Sequence, residues 1–69
     1  MEQVFPELSI KSSESVYEVI RIDNDRFLVV EFDESEVFYY IANVSDLKDI
    51  VKDADYVEGS EELIKQLRE

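Results

Sequence analysis

The chain has 69 residues, 18 of them acidic and 7 basic, for a formal charge of −11, and it contains neither cysteine nor histidine. That length admits one domain, whose folded form buries only about 60% of the surface its unfolded form exposes. The missing residue types exclude disulfides, thiolate ligands, Ser–His and Cys–His nucleophiles and the commonest neutral-pH acid–base group. An apolar content of 45% with four Phe and four Tyr is too rich for disorder.

Residues 1–15 read as an N-terminal arm. "VFPELSIK" alternates Val4, Leu8 and Ile10 around Pro6, which suits a short edge strand. "SSES" at 12–15 reads as a turn or mobile connection. The acidic, Pro-interrupted amino terminus lacks the basic and apolar parts of a signal peptide, and no apolar run approaches the ~20 residues that span a bilayer. These features lead to the expectation of a soluble, cytoplasmic protein.

From residue 16 the pattern predicts a three-stranded antiparallel meander over 16–22, 26–32 and 36–42, each segment dense in β-branched and aromatic residues. A two-residue turn at Glu34–Ser35 sets Phe32 against Val37, Val30 against Tyr39 and Leu28 against Ile41. For the first hairpin a two-residue turn would set Glu18 against Glu31. A three-residue loop over 23–25 avoids that repulsion, aligns Ile20 with Leu28 and Val16 with Phe32, and is preferred.

"VSDLKDIVKDA" predicts a helix over about 46–54, capped by Ser45, with Leu47, Ile50, Val51 and Ala54 on one face. "DYVEGS" reads as a short strand or a loop anchored by Tyr56 and Val57. Ser60 caps a second helix over about 61–68, with Glu61 and Glu62 at its start, Lys65 and Arg68 near its end, and Leu63, Ile64 and Leu67 as its apolar stripe. The expected fold is α+β: a three-stranded, or four-stranded, antiparallel meander packed against two short C-terminal helices, with 16–69 as its single domain.

The chain offers little chemistry. Gly59 is the only glycine, so a phosphate-cradling loop is excluded. Asp23/Asp25 and Glu34/Glu36 have a spacing that can meet a hard cation, but the ligand pattern and central glycine of a calcium loop are absent. Solvated carboxylates in turns are poor acid–base catalysts. Lys48, Lys52, Arg21, Arg26 and Arg68 read as intramolecular partners of the many acids. The expectation is a non-enzyme with no metal and no cofactor.

The charge speaks against direct contact with nucleic acid or anionic membranes and favours a protein partner with a basic surface. A domain of this length has a diameter of roughly 28 Å, over which duplex DNA carries about 16 charges, so −11 is about two-thirds of the duplex density. Size and charge are shared with small acidic α+β proteins of phages and mobile elements that inhibit DNA-binding enzymes by presenting carboxylates in place of phosphates. No motif in this chain carries a family assignment.

A three-stranded sheet has two faces, and two helices cover one. The uninterrupted set Leu28, Val30, Phe32, Val37, Tyr39 and Ile41 is expected beneath the helices. Phe27, Val29, Phe38 and Tyr40 then lie on the far face, to be covered by residues 1–15, by a second copy, or by another protein. The functional expectation is an acidic interaction module or inhibitor. It would meet a nucleic-acid-binding protein through an acidic rim of Asp23, Asp25, Glu31, Asp33, Glu34 and Glu36, with Phe27, Val29, Phe38 and Tyr40 as anchors or dimer seam. The alternative is an assembly module whose homodimerisation through the apolar face is its function, with the acidity serving solubility.

Overall fold

A computed structural model describes residues 6–69. These residues form an α+β fold, with one five-stranded antiparallel sheet and two helices on one of its faces. The strands are β1 (Leu8–Lys11), β2 (Ser15–Arg21), β3 (Phe27–Asp33), β4 (Glu36–Ala42) and β5 (Tyr56–Gly59); the helices are α1 (Val44–Lys52) and α2 (Glu61–Arg68). Across the sheet the order is β4-β3-β2-β1-β5.

Both hairpin registers follow from local chemistry. β2 and β3 pair Val16 with Phe32 and Ile20 with Leu28, the register of a three-residue loop, so Glu18 faces Val30 rather than Glu31. Asp23 closes that loop by accepting hydrogen bonds from the backbone N–H groups of Asp25 and Arg26, both at 2.9 Å. β3 and β4 pair Phe32 with Val37, Val30 with Tyr39 and Leu28 with Ile41. Their turn puts Glu34 at φ 27°, the left-handed backbone a tight hairpin needs.

The sheet has five strands rather than three or four. β1 is not an edge strand: it lies between β2 and β5, pairing Leu8 with Val19 on one side and with Gly59 on the other. Val4, read as part of the same strand, is outside the described residues. The stretch around Tyr56 and Val57 becomes the fifth strand because β1 otherwise offers a bare edge of backbone donors and acceptors. Gly59 makes that pairing possible, since at φ 137° a Cβ would collide with the carbonyl oxygen of Glu7. The Glu7 carbonyl accepts instead from the Ser60 N–H at 2.9 Å.

α1 starts earlier than the spacing of its apolar residues suggests. Its N-cap is Asn43, not Ser45: the Asn43 side chain accepts from the Asp46 N–H at 2.9 Å, and the Asp46 carboxylate accepts from the Asn43 N–H at 3.2 Å. That reciprocal pair satisfies two donors of the first turn immediately after β4. α2 is capped by Ser60, which accepts from the Leu63 N–H.

The largest correction concerns the covered face. Phe27 and Val29 are fully buried with Leu8, Ile10, Val19 and Ala42 beneath Leu47, Val51, Leu63 and Leu67 of the helices. They cannot form a seam. Leu28, Val30, Phe32, Val37, Tyr39 and Ile41, expected under the helices, point the other way. The reason is topological. Every neighbouring pair is antiparallel, so β4 and β5 run parallel at opposite edges and α1 is the crossover between them. Such crossovers are right-handed in nearly all cases. With this strand order, that hand places α1 over the Phe27–Val29–Ala42 side, although within β2–β4 alone the other side has more apolar residues.

The described residues span 35 × 30 × 18 Å, and the short dimension is that of one sheet and one helical layer. The face assignment predicts that Phe27→Ala costs about 3–5 kcal/mol in denaturant unfolding. Phe32→Ala, on the open side, costs about 1 kcal/mol or less. Equal costs, or the reverse order, contradict the assignment.

Candidate interaction surface

Alternation along the strands puts Val16 and Ile20 of β2, Leu28, Val30 and Phe32 of β3, and Val37, Tyr39 and Ile41 of β4 on the outer face of the sheet. Phe32, Val37, Ile41 and Tyr39 are 44%, 46%, 55% and 69% exposed. Ile22, beyond the end of β2, and Tyr56 in β5 are exposed as well. Monomeric proteins seldom leave so continuous an apolar area uncovered.

Charge is scarce on this face. Within the strands it carries Lys11, Glu18 and Glu58. The Glu18 carboxylate accepts from the Ser9 hydroxyl at 2.8 Å, and that of Glu58 from the Tyr56 hydroxyl at 2.9 Å. Lys11 lies over the Tyr56 ring, 5.9 Å from its centroid. The hydrogen bond to Glu58 raises the pKa of Tyr56 above that of a free phenol.

The six carboxylates of the expected rim do not make one ring. Asp23 and Asp25 lie in the β2–β3 loop; Asp33, Glu34 and Glu36 lie at the β3–β4 turn, at the other end of β3. Seven residues of strand separate the two groups by roughly 20 Å. Asp23 is committed locally, because the Arg26 guanidinium donates to it at 2.7 and 2.8 Å. That hydrogen bond, with the backbone donors of Asp25 and Arg26, holds the Asp23 carboxyl below the usual carboxylate range and raises Arg26. Among the described residues the other ion pair is Arg21 with Glu7 at 3.9 Å.

Glu31 lies on the helix side of the sheet and is half-buried. Its carboxylate accepts from the Ser15 hydroxyl at 3.3 Å and from the Tyr40 hydroxyl at 3.5 Å. Phe38 and Tyr40 share that side and remain partly exposed, at 44% and 36%, unlike Phe27 and Val29. Burial, followed by the charge of Glu31, pushes the Tyr40 hydroxyl up to about 12.

Asp33, Glu34 and Glu36 come together with Glu14 around an open cleft of about 570 Å³ between the Ser12–Glu14 connection and the β3–β4 turn. Val16, Phe32 and Val37 also line it, so the cleft continues the apolar outer face into an acidic margin. A side chain with an apolar stem and a cationic head matches that combination. Among the described residues, no group of three or more acids is placed to hold a metal ion. No helix among the described residues is long and apolar enough to cross a membrane. No protein-family model, no curated protein and no solved structure matches the chain.

The acidic turn Asp33–Glu36 next to aromatic strands is legible in the sequence, whereas Glu31 falls on the other side of the sheet from the open face. The open face does not follow from the apolar content of β2–β4 alone, because crossover handedness and the core residues Leu8 and Ile10 of β1 select the buried side. The signal was present in the direction of β4 and in the second use of β1 as a pairing partner.

The Tyr40 environment is measurable by ultraviolet titration. Its raised pKa means that the folded chain holds the phenolic proton more tightly than the unfolded chain does. The associated stability is therefore intact below pH 10 and is lost as the pH rises towards about 12. The expected curve has a late phenolate step near 12 that disappears in Tyr40→Phe; a curve unchanged by that substitution contradicts the assignment.

Proposed function

We propose that this protein is a non-enzymatic interaction module that docks a basic protein surface against the open face of its sheet. The observation that supports this most strongly is the uncovered apolar face running into the acidic cleft at Asp33, Glu34 and Glu36. An apolar centre with a polar margin is the usual anatomy of a protein interface, and aromatic side chains such as Phe32 and Tyr39 are common anchors. Lys or Arg from a partner fits the cleft, its stem on Phe32 and Val37 and its charge among the carboxylates.

The net charge of −11 adds direction: it speeds encounter with cationic surfaces and repels phosphate backbones. A protein that itself binds nucleic acid is the partner class that best matches these terms, and the acidic turn would then occupy positions where phosphates bind. In this reading the protein is an inhibitor of that partner. Asp23 contributes less than the carboxylates of the turn, because Arg26 already neutralises it.

Capture from an extract of the native host, with the immobilised protein as bait, tests the reading. A basic protein is expected to be retained at low salt, to be released as salt rises, and to be lost with Phe32→Lys. A retained protein indifferent to both salt and Phe32→Lys overturns the proposal.

A further inference from the structure

Among the described residues β4 is an edge strand with few of the features that usually protect an edge. It runs for seven residues without Pro or Lys, and its ladder with β3 is unbroken from Phe27↔Ala42 to Asp33↔Glu36, so no bulge twists it away. Six of its seven residues are exposed, and Glu36 is its single charge. The opposite edge is different: β5 has four residues and ends at Gly59, whose backbone is turned to φ 137°.

The geometry of β4 also selects a register. The two-residue connection Glu34–Ser35 makes Asp33 and Glu36 a hydrogen-bonded pair, so Glu36, Phe38, Tyr40 and Ala42 direct their backbone groups towards β3. Val37, Tyr39 and Ile41 therefore direct their N–H and C=O groups outward. These three residues are symmetric about Tyr39. Antiparallel pairing with an identical strand matches Tyr39 with Tyr39 and Val37 with Ile41, so every outward donor meets an outward acceptor. The alternating pairs set Phe38 beside Tyr40 and Glu36 beside Ala42.

The charges permit this arrangement. Each Glu36 faces an alanine, and the two Glu36 carboxylates lie at opposite ends of the joint, roughly 20 Å apart. That separation exceeds the Debye length of about 8 Å at physiological salt. The remaining pairs are aromatic or β-branched, the kinds that stabilise cross-strand neighbours.

We propose that two copies of this chain pair antiparallel through β4, with Tyr39 on the two-fold axis, and join their five-stranded sheets into one of ten strands. The two-fold axis is perpendicular to the sheet, so both helical layers lie on one side and both open faces on the other. Self-association through β4 thus leaves the proposed docking face free and doubles it.

Sedimentation with amide hydrogen exchange tests the pairing. Wild type is expected at twice 8.1 kDa, with the association tightening as salt screens the mutual repulsion. The Val37, Tyr39 and Ile41 amides are expected to be protected, and to lose that protection on dilution. Tyr39→Pro removes an outward N–H that the monomer does not use, a position where an edge strand tolerates proline. It is expected to sediment at 8.1 kDa with an unchanged circular dichroism spectrum. Phe32→Lys, which alters the open face and not the edge, is expected to remain dimeric, which separates this proposal from the docking one. A wild-type monomer at all concentrations, or a dimer whose three outward amides exchange freely, overturns the pairing; the exchange data decide even if Tyr39→Pro does not fold.

Discussion

The parallel crossover from β4 through α1 to β5 is the constraint on which the rest of this molecule depends. Four strands run as an antiparallel meander, and the fifth must return to the far edge beside β1 in the same direction as β4. The hand of that connection fixes which side of the sheet meets the helices. Leu47 and Val51 of α1 and Leu63 and Leu67 of α2 then close over Leu8, Ile10, Val19, Phe27 and Val29. Arg21 finishes one end of the core by lying over the Phe27 ring, 5.0 Å from its centroid. With both helices on one layer, nothing among the described residues covers the outer face.

Much of the local structure was legible in the sequence because it is decided locally. The Glu34–Ser35 turn fixes the β3–β4 register, and the avoidance of facing Glu18 and Glu31 fixes that of β2 and β3. Ser60 and the charge order along α2 define that helix. Most of the rest depends on contacts distant in sequence. β5 is too short to decide by itself between strand and loop, and it forms because β1 pairs with it. Asn43 is hard to recognise as a cap because it follows directly on a strand, where the capping box leaves no linker. The apolar content of β2–β4 alone points to the wrong side of the sheet, whereas chain direction and handedness set the buried one.

The same reversal explains how charge and apolar surface are arranged. Glu31, Asp33 and Glu36 lie on the helix side or at the turn, so the outer face stays poor in charge although the chain carries −11. In the proposed docking, attraction at long range and contact at short range fall to different parts of one surface. Carboxylates at the ends of β3 would draw cations in, and the aromatic and β-branched side chains between them would supply the contact area. β4 belongs to both systems, with side chains that finish the open face and a backbone that is an unguarded edge.

Solvent access to individual methyl groups, read by NMR from relaxation induced by a soluble gadolinium chelate, tests the face assignment most directly. Strong enhancement is expected at the methyls of Val37 and Ile41, and little at those of Leu8, Val19, Val29, Leu47 and Leu63. Enhancement at Val19 and Val29 with protection of Val37 and Ile41 would mean that the helices cover the opposite side, and the account given for this fold would be wrong.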